Sequence, residues 1–323
     1  MPTTGDAAAV APSAARVDLK VGFACNNRCV FCVQGTKRER FGARPVEELR
    51  DILRRERPRV DAVVFTGGEP TVRRDLPELV AHARELGYRT IQIQTNGRML
   101  AHRAYLERLV AAGATEFSPA LHGHVAALHD HLTGAPGAFA QTVTGIRHLK
   151  AMGRFVLTNS VVTRSSYRHL PELARLLVSL GVDQFQLAFV HPVGTAATLF
   201  DSVVPRMELA APYLMAALQV GLDAGRRAYT EAVPPCVLPG YEACVAEQYI
   251  PRTAIYDAES TIADYTRYRR DEGKAKGPAC RACRHDAACE GPWREYPERY
   301  GWDEFVPVRA RTGAGTGAGD GAP

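Results

Sequence analysis

No stretch of the 323-residue chain approaches the roughly 18 consecutive apolar residues that a bilayer span needs. The N-terminus, MPTTGDAAAVAPSAAR, has neither the basic start nor the apolar run of a secretory signal. A cytoplasmic protein with no membrane partner is expected. Nor does any segment stack Lys and Arg thickly. The 40 basic residues against 35 acidic ones leave a dispersed net charge of +5, too thin for the basic face that holds a polyanion, so nucleic acid is not an expected partner. Disulfide staples are not needed either, because 46% apolar residues over this length supply a large core. A reducing compartment leaves the eight cysteines as thiols, and what they bind becomes the question.

Both ends lack apolar periodicity: residues 1–16 are mostly Ala, Pro and Thr, and residues 311–323 are Gly-Ala repeats, so both are expected to be disordered. Between them one unit recurs. Apolar residues at helical spacing (Leu76, Leu79, Val80, Ala83, Leu86; then Leu170, Leu173, Leu176, Leu177, Leu180) run into a glycine stop (Gly87, Gly113, Gly153, Gly181) and then a β-rich run. The runs VDLKVGFA, DAVVFTG, TIQIQT, TEFSPAL, FVLTNSVV and FQLAFV make six strands that alternate with helices, the pattern of an α/β fold with a parallel sheet. Six units over residues 17–205 suit a partial or full β/α barrel, whose site gathers at the C-terminal strand ends. Cys25, Gly67 to Pro70 and Thr95 to Gly97 fall there. After Pro205 the pattern changes to a helix and then a Pro-, Tyr- and Cys-rich region, read as a small second domain over residues 206–310.

Cys25, Cys29 and Cys32 form C-x3-C-x2-C directly after the first strand. So short a loop brings three soft sulfur ligands onto one object, and such ligands select zinc or an iron–sulfur cluster. Zinc would want a nearby fourth ligand, and no other His, Cys or Asp stands within several residues. A [4Fe–4S] cluster with three protein ligands leaves one iron open for a substrate or cofactor.

CNNRCVFC, with Phe31 before the third cysteine, resembles the cluster motif of the radical SAM superfamily, and FTGGEP resembles its second motif. IQTNG, FSPALHG, TNSVV and FVHPVG fit the later strands of that family's partial (β/α)6 barrel, over residues 17–205. The resemblance implies a [4Fe–4S] cluster on Cys25, Cys29 and Cys32, with S-adenosylmethionine held by Phe31, Gly67, Gly68, Glu69, Asn96, Ser118 and Asn159. It also implies an electron donor such as flavodoxin or ferredoxin. Gly67 and Gly68 suit a close ligand approach because they lack Cβ, and Glu69 offers a carboxylate to the cofactor's ammonium. Related enzymes often carry Ser where this chain has Ala120. His122, His124, His129 and His131, on a loop and helix start, read as surface residues rather than metal ligands.

Cys280, Cys283 and Cys289 form a second set, C-x2-C-x5-C, in a polar segment, with Cys236 and Cys244 upstream. Three close thiolates and one distant one could hold a second cluster or a structural zinc. Cys236 is the expected fourth ligand, because prolines on either side fix its loop, whereas Cys244 sits in a stretch that could be helical and bury it as an apolar residue. The spacing resembles the SPASM and twitch auxiliary domains, which implies one auxiliary [4Fe–4S] cluster. The aromatic segment that follows, with Trp293, Tyr296, Tyr300, Trp302 and Phe305, reads as a cap over that site.

Together these readings give a radical SAM enzyme that reductively cleaves S-adenosylmethionine and abstracts hydrogen from a peptide side chain or a small metabolite, in natural-product or cofactor maturation. Two features depart from the GTP-cyclising members of the family: the last auxiliary spacing is shorter, and the chain ends Gly-Ala-Pro rather than Gly-Gly. With only about 16 residues before the first strand, a peptide substrate would need a separate recognition protein. A non-catalytic zinc- or iron–sulfur-binding interaction protein would account for C-x2-C-x5-C, but not for the triad, GGEP and six β/α units together.

Overall fold

A computed structural model describes residues 15–309. Seven parallel strands follow one another in chain order: β1 (Arg16–Lys20), β2 (Ala62–Thr66), β3 (Thr90–Thr95), β4 (Glu116–Pro119), β5 (Phe155–Val162), β6 (Gln184–Phe189) and β7 (Arg227–Glu231). The helices between them are α1 (Val46–Glu56), α2 (Leu76–Glu85), α3 (Arg103–Ala112), α4 (Ala126–Thr133), α5 (Ala138–Ala151), α6 (Leu170–Ser179) and α7 (Met207–Asp223). The first six strands are those the sequence pattern predicts. Gly87, Gly113, Gly153 and Gly181 all take positive φ at the expected helix stops.

A parallel sheet covered by helices on both faces reads as continuous apolar runs. Here the strands alternate instead. Val17, Leu19, Ile91, Ile93, Phe117, Phe185 and Leu187 are buried in the core. The intervening positions are polar: Asp18, Lys20, Gln92, Gln94, Glu116, Ser118, Asn159, Gln186 and Glu231. Only one face is therefore packed by helices, and the other curls around a polar lumen. The curl brings Glu231 of β7 within electrostatic reach of Arg16 of β1, although five strands separate them in the sheet.

The sheet does not stop at six strands. Residues assigned from sequence to a separate C-terminal domain supply β7 on one edge, and β8 (Thr253–Tyr256) parallel to β1 on the other, with β9 (Thr261–Ile262) antiparallel to it. The residues from Tyr265 to Gly273 lie between those edges: Tyr265 is within reach of both Glu231 and Asp18, and the Arg269 side chain is fully buried. These additions were not legible because β8 is four residues long and its partner lies some 237 positions upstream. Arg16, expected in the disordered N-terminus, already belongs to β1. The expected disorder of residues 1–14 and 310–323 lies outside the described residues. Among the described residues no helix is long and apolar enough to cross a membrane.

Candidate iron–sulfur and cofactor site

Past the end of β1 the chain remains zipped to the chain leaving β2. Gly68 N donates to Gly22 O at 2.8 Å, and Glu69 N to Ala24 O at 2.8 Å. A Cβ on Gly68 would stand 2.5 Å from both the Phe23 and Ala24 carbonyl oxygens, and Gly67, at φ +131°, would meet Gly22 O at 2.3 Å. Strand-end backbone packing by itself therefore requires both glycines. The consequence is positional: Cys25 is delivered to the C-terminal lip of the barrel beside the Gly-Gly-Glu turn.

The loop from Cys25 to Cys32 is held by polar groups from four directions. Arg98 donates to Asn26 O and, at 3.0 Å, to Asn27 Oδ1, while Asn96 Nδ2 donates to Asn26 Oδ1 at 2.6 Å. Arg38 reaches Asn27 O at 2.9 Å and Cys32 Sγ at 3.7 Å, and Arg28 donates to Cys25 O at 3.0 Å. The end of α4 accepts Arg28 N and Val30 N on Thr133 O and Leu132 O, and Thr195 N donates to Cys32 O. Arg38 and Arg98 were missed from sequence, because nothing in their local pattern marks them. Three guanidinium groups suit an anionic centre.

Burial, then the neighbouring thiols Cys32 and Cys25, push the Cys29 thiol up to about 12, and burial likewise raises Cys25. Burial thus favours the neutral thiol at Cys25 and Cys29, and a bound metal centre would favour the thiolate. Three soft donors in an electropositive loop fit a [4Fe–4S] cluster with an open iron. Among the described residues no three His, Cys, Asp or Glu side chains are gathered on a single metal ion.

Glu69, 3% exposed, does not sit as a free carboxylate awaiting an ammonium. Its Oε1 accepts from Thr71 N at 2.9 Å, from Thr71 Oγ1 and from Thr95 Oγ1 at 2.6 Å, and its Oε2 accepts from Asn96 N at 2.5 Å. Burial raises its pKa, and these four donors resist the rise. Glu69 thus clamps the ends of β2 and β3, with one lone pair of Oε2 left for a ligand. Asn96, also expected to touch the cofactor, is spent largely on Glu69, Asn26 and Thr142.

Two of the four histidines read as surface residues are buried instead. His122 is 6% and His129 0% exposed. His122 Nδ1 accepts from Val161 N at 3.1 Å, and His129 Nδ1 accepts from His122 N at 3.1 Å, so each ring carries its proton on Nε2. The His122 ring also stands edge-on to Phe31, centroids 4.7 Å apart. Phe31 is thereby packed into the core. Ser118 and Asn159 lie on the polar face of β4 and β5, and Asn159 Oδ1 is a buried acceptor without a protein donor.

In the C-terminal region Cys236, Cys280, Cys283 and Cys289 line one cavity with Pro234, Trp302 and Phe305. Burial, then Cys289, Cys283 and Cys280, push the Cys236 thiol up to about 12, whereas Cys244 is raised by burial alone and packs in the core. The aromatic cap divides: Trp302 and Phe305 face the cavity, while Trp293 stacks on His191 at 3.8 Å at the end of β6. Next to the cavity, Lys274 is paired with Glu247 and Glu290, and Arg269 holds Glu290 at 2.8 and 3.0 Å. Ala232, between Glu231 and this region, takes φ +59° and donates its N–H to Glu247 Oε1 at 2.8 Å. Left-handed backbone at a residue with a Cβ costs on the order of 1–3 kcal/mol.

The radical SAM superfamily matches residues 19–177. This stretch is a radical SAM domain. Over 146 residues the chain is 33% identical to an AdoMet-dependent heme synthase of Nitratidesulfovibrio vulgaris, covering 45% of this chain and 39% of that one. Over 178 residues it is 32% identical to a probable GTP 3′,8-cyclase of Saccharolobus islandicus, covering 54% and 57%. It thus spans about half the length of the curated relatives it matches. Streptococcus suis SuiB bound to its precursor peptide SuiA superposes with a TM-score of 0.60 at 17% identity, over 82% of this chain and 62% of that one. The enzyme anSMEcpe with bound AdoMet and a peptide does so at 0.54 and 16%, over 66% and 62%. At these identities the structures speak for the fold alone: a mixed α/β partial barrel with a largely parallel sheet.

Proposed function

We propose that the protein is a radical SAM enzyme that cleaves S-adenosylmethionine and abstracts hydrogen from a substrate held in the barrel lumen, a peptide side chain or a small metabolite. The observation that carries this reading is the backbone zipper between residues 22–24 and 67–69, which sets the Cys25–Cys32 loop against the Gly-Gly-Glu turn at the mouth of a polar lumen. A [4Fe–4S] cluster held by Cys25, Cys29 and Cys32 would supply one-electron reduction to S-adenosylmethionine bound beside it. The chain's own residues do the rest. Cys25, Cys29 and Cys32 supply the thiolates, Arg28, Arg38 and Arg98 offset their charge, and Glu69 with Asn96 sets the turn beside them. Ser118 and Asn159 present polar groups to the lumen.

Cys236, Cys280, Cys283 and Cys289, in a SPASM-like region over residues 206–310, would hold one auxiliary [4Fe–4S] cluster, which would supply a further one-electron centre or an anchor for substrate. An electron donor of the flavodoxin or ferredoxin kind would supply the reducing electron. The anaerobically reconstituted, reduced protein is expected to form 5′-deoxyadenosine from S-adenosylmethionine, measured by chromatography, and Cys25→Ala, Cys29→Ala and Cys32→Ala each abolish it. Turnover like that of the wild type in any of the three overturns the assignment.

A further inference from the structure

Glu231 stands at the C-terminal end of β7, half-buried on the strand's polar face, opposite buried Ala228 and Thr230. Its Oε2 accepts one hydrogen bond, from Gln186 Nε2 at 2.6 Å, and that donor is neutral. The three basic groups that act on it most, Lys274, Arg269 and Arg16, are each committed to another carboxylate. Lys274 is paired with Glu247 and Glu290, Arg269 with Glu290, and Arg16 lies 3.2 Å from Asp18 while donating to Thr253. With Glu247 close by as well, Glu231 is the carboxylate of this group that has no countercharge of its own. Burial, then Glu247, raises its pKa, and an added cation would favour the charged form.

The backbone is built to hold it there. Among the described residues Ala232 is the one non-glycine with positive φ, and it follows Glu231 directly. Glu247 fastens the Ala232 N–H, and buried Lys274 fastens Glu247. Such strain persists where surrounding contacts over-determine a side-chain position. The rest of the lumen has the same sign of demand. Glu116 receives only the Gln92 amide at 3.0 Å, Asn159 Oδ1 has no donor, and Lys20 is taken by Asp257.

We propose that Glu231 anchors the substrate through a cationic group, an ammonium or a guanidinium, so that the lumen selects a basic substrate over a polyanion such as a nucleoside triphosphate. The inference rests on reading the lumen as the substrate site. It is tested on the full-length reconstituted protein with S-adenosylmethionine present, using agmatine as the cationic probe and ATP as the polyanionic one, by calorimetry.

Agmatine is expected to bind the wild type. Glu231→Gln should weaken it about tenfold or more, Glu231→Asp less, and Glu298→Gln, at an exposed surface carboxylate, not at all. ATP is expected not to displace agmatine. Circular dichroism and the thermal midpoint establish that the variants are folded. Absence of agmatine binding to the wild type, equal binding to folded Glu231→Gln, or displacement by ATP overturns the proposal. Absence of 5′-deoxyadenosine formation instead overturns the enzymatic reading and leaves the cation site standing.

Discussion

Glu69 is one carboxylate that accepts four hydrogen bonds, from Thr71, Thr95 and the Asn96 backbone. In Glu69→Gln an amide NH2 would face one of these donors, so the loss extends beyond a charge. A decrease of about 1–3 kcal/mol in unfolding free energy is expected, with weaker S-adenosylmethionine binding alongside it. Urea titration giving wild-type stability would return Glu69 to a purely ligand-facing role. The buried histidines make a second residue-scale prediction. Desolvation, then His129, holds His122 at about 3, and desolvation holds His129 at about 4, against an ordinary value of 6.5. Both rings are neutral in the folded state, and below pH 6.5 the unfolded chain takes up protons that the folded one refuses. Their contribution is therefore complete above pH 6.5 and lost as the pH falls toward 3–4, at about 2 kcal/mol per ring between pH 7 and pH 5. Urea midpoints at pH 7, 6 and 5 should fall less steeply in a His122→Gln, His129→Gln variant than in the wild type.

Between elements, the deciding contacts are backbone to backbone. The β1 and β2 exits approach so closely at Gly68 that a methyl group must displace the Phe23 or Ala24 carbonyl, neither of which is the end of a flexible side chain. Gly68→Ala is expected to lower the iron bound at the Cys25–Cys32 loop while leaving the far-ultraviolet circular dichroism nearly unchanged, because the displacement is confined to the lip. Full iron content in that variant would mean that the loop assembles without the zipper. The helices and six strands were legible because their apolar period, glycine stops and β-rich runs are local signals. Arg38 and Arg98 were not, since each is an ordinary polar residue whose role arises when α4, β3 and the cysteine loop meet.

For the whole molecule, the C-terminal region both borders the polar lumen and gathers four thiols in one cavity. The reconstituted protein is expected to hold about eight irons, as two four-iron clusters. A Cys25, Cys29, Cys32→Ala triple variant should keep about four, and further replacement of Cys236 should lower that number while replacement of Cys244 should not. Zinc in place of the remaining iron, or iron loss on replacing Cys244 alone, would contradict the ligand set. The prolines flanking Cys236 point to it over Cys244 as the fourth ligand, and Cys236 lines the triad's cavity while Cys244 packs in the core.

The sequence by itself determined the α/β class, the six-strand order and the positions of both cysteine sets, because each depends on spacing within a few residues of chain. Only the tertiary structure decided what the lumen looks like and why the glycines are there. Glu231 has no countercharge because Arg16, Lys274 and Arg269, distant in sequence, are each paired elsewhere, and Gly67 and Gly68 lack side chains because two strand exits touch. Neither fact has a local signature, since both depend on which backbone and which charges the curled sheet brings face to face.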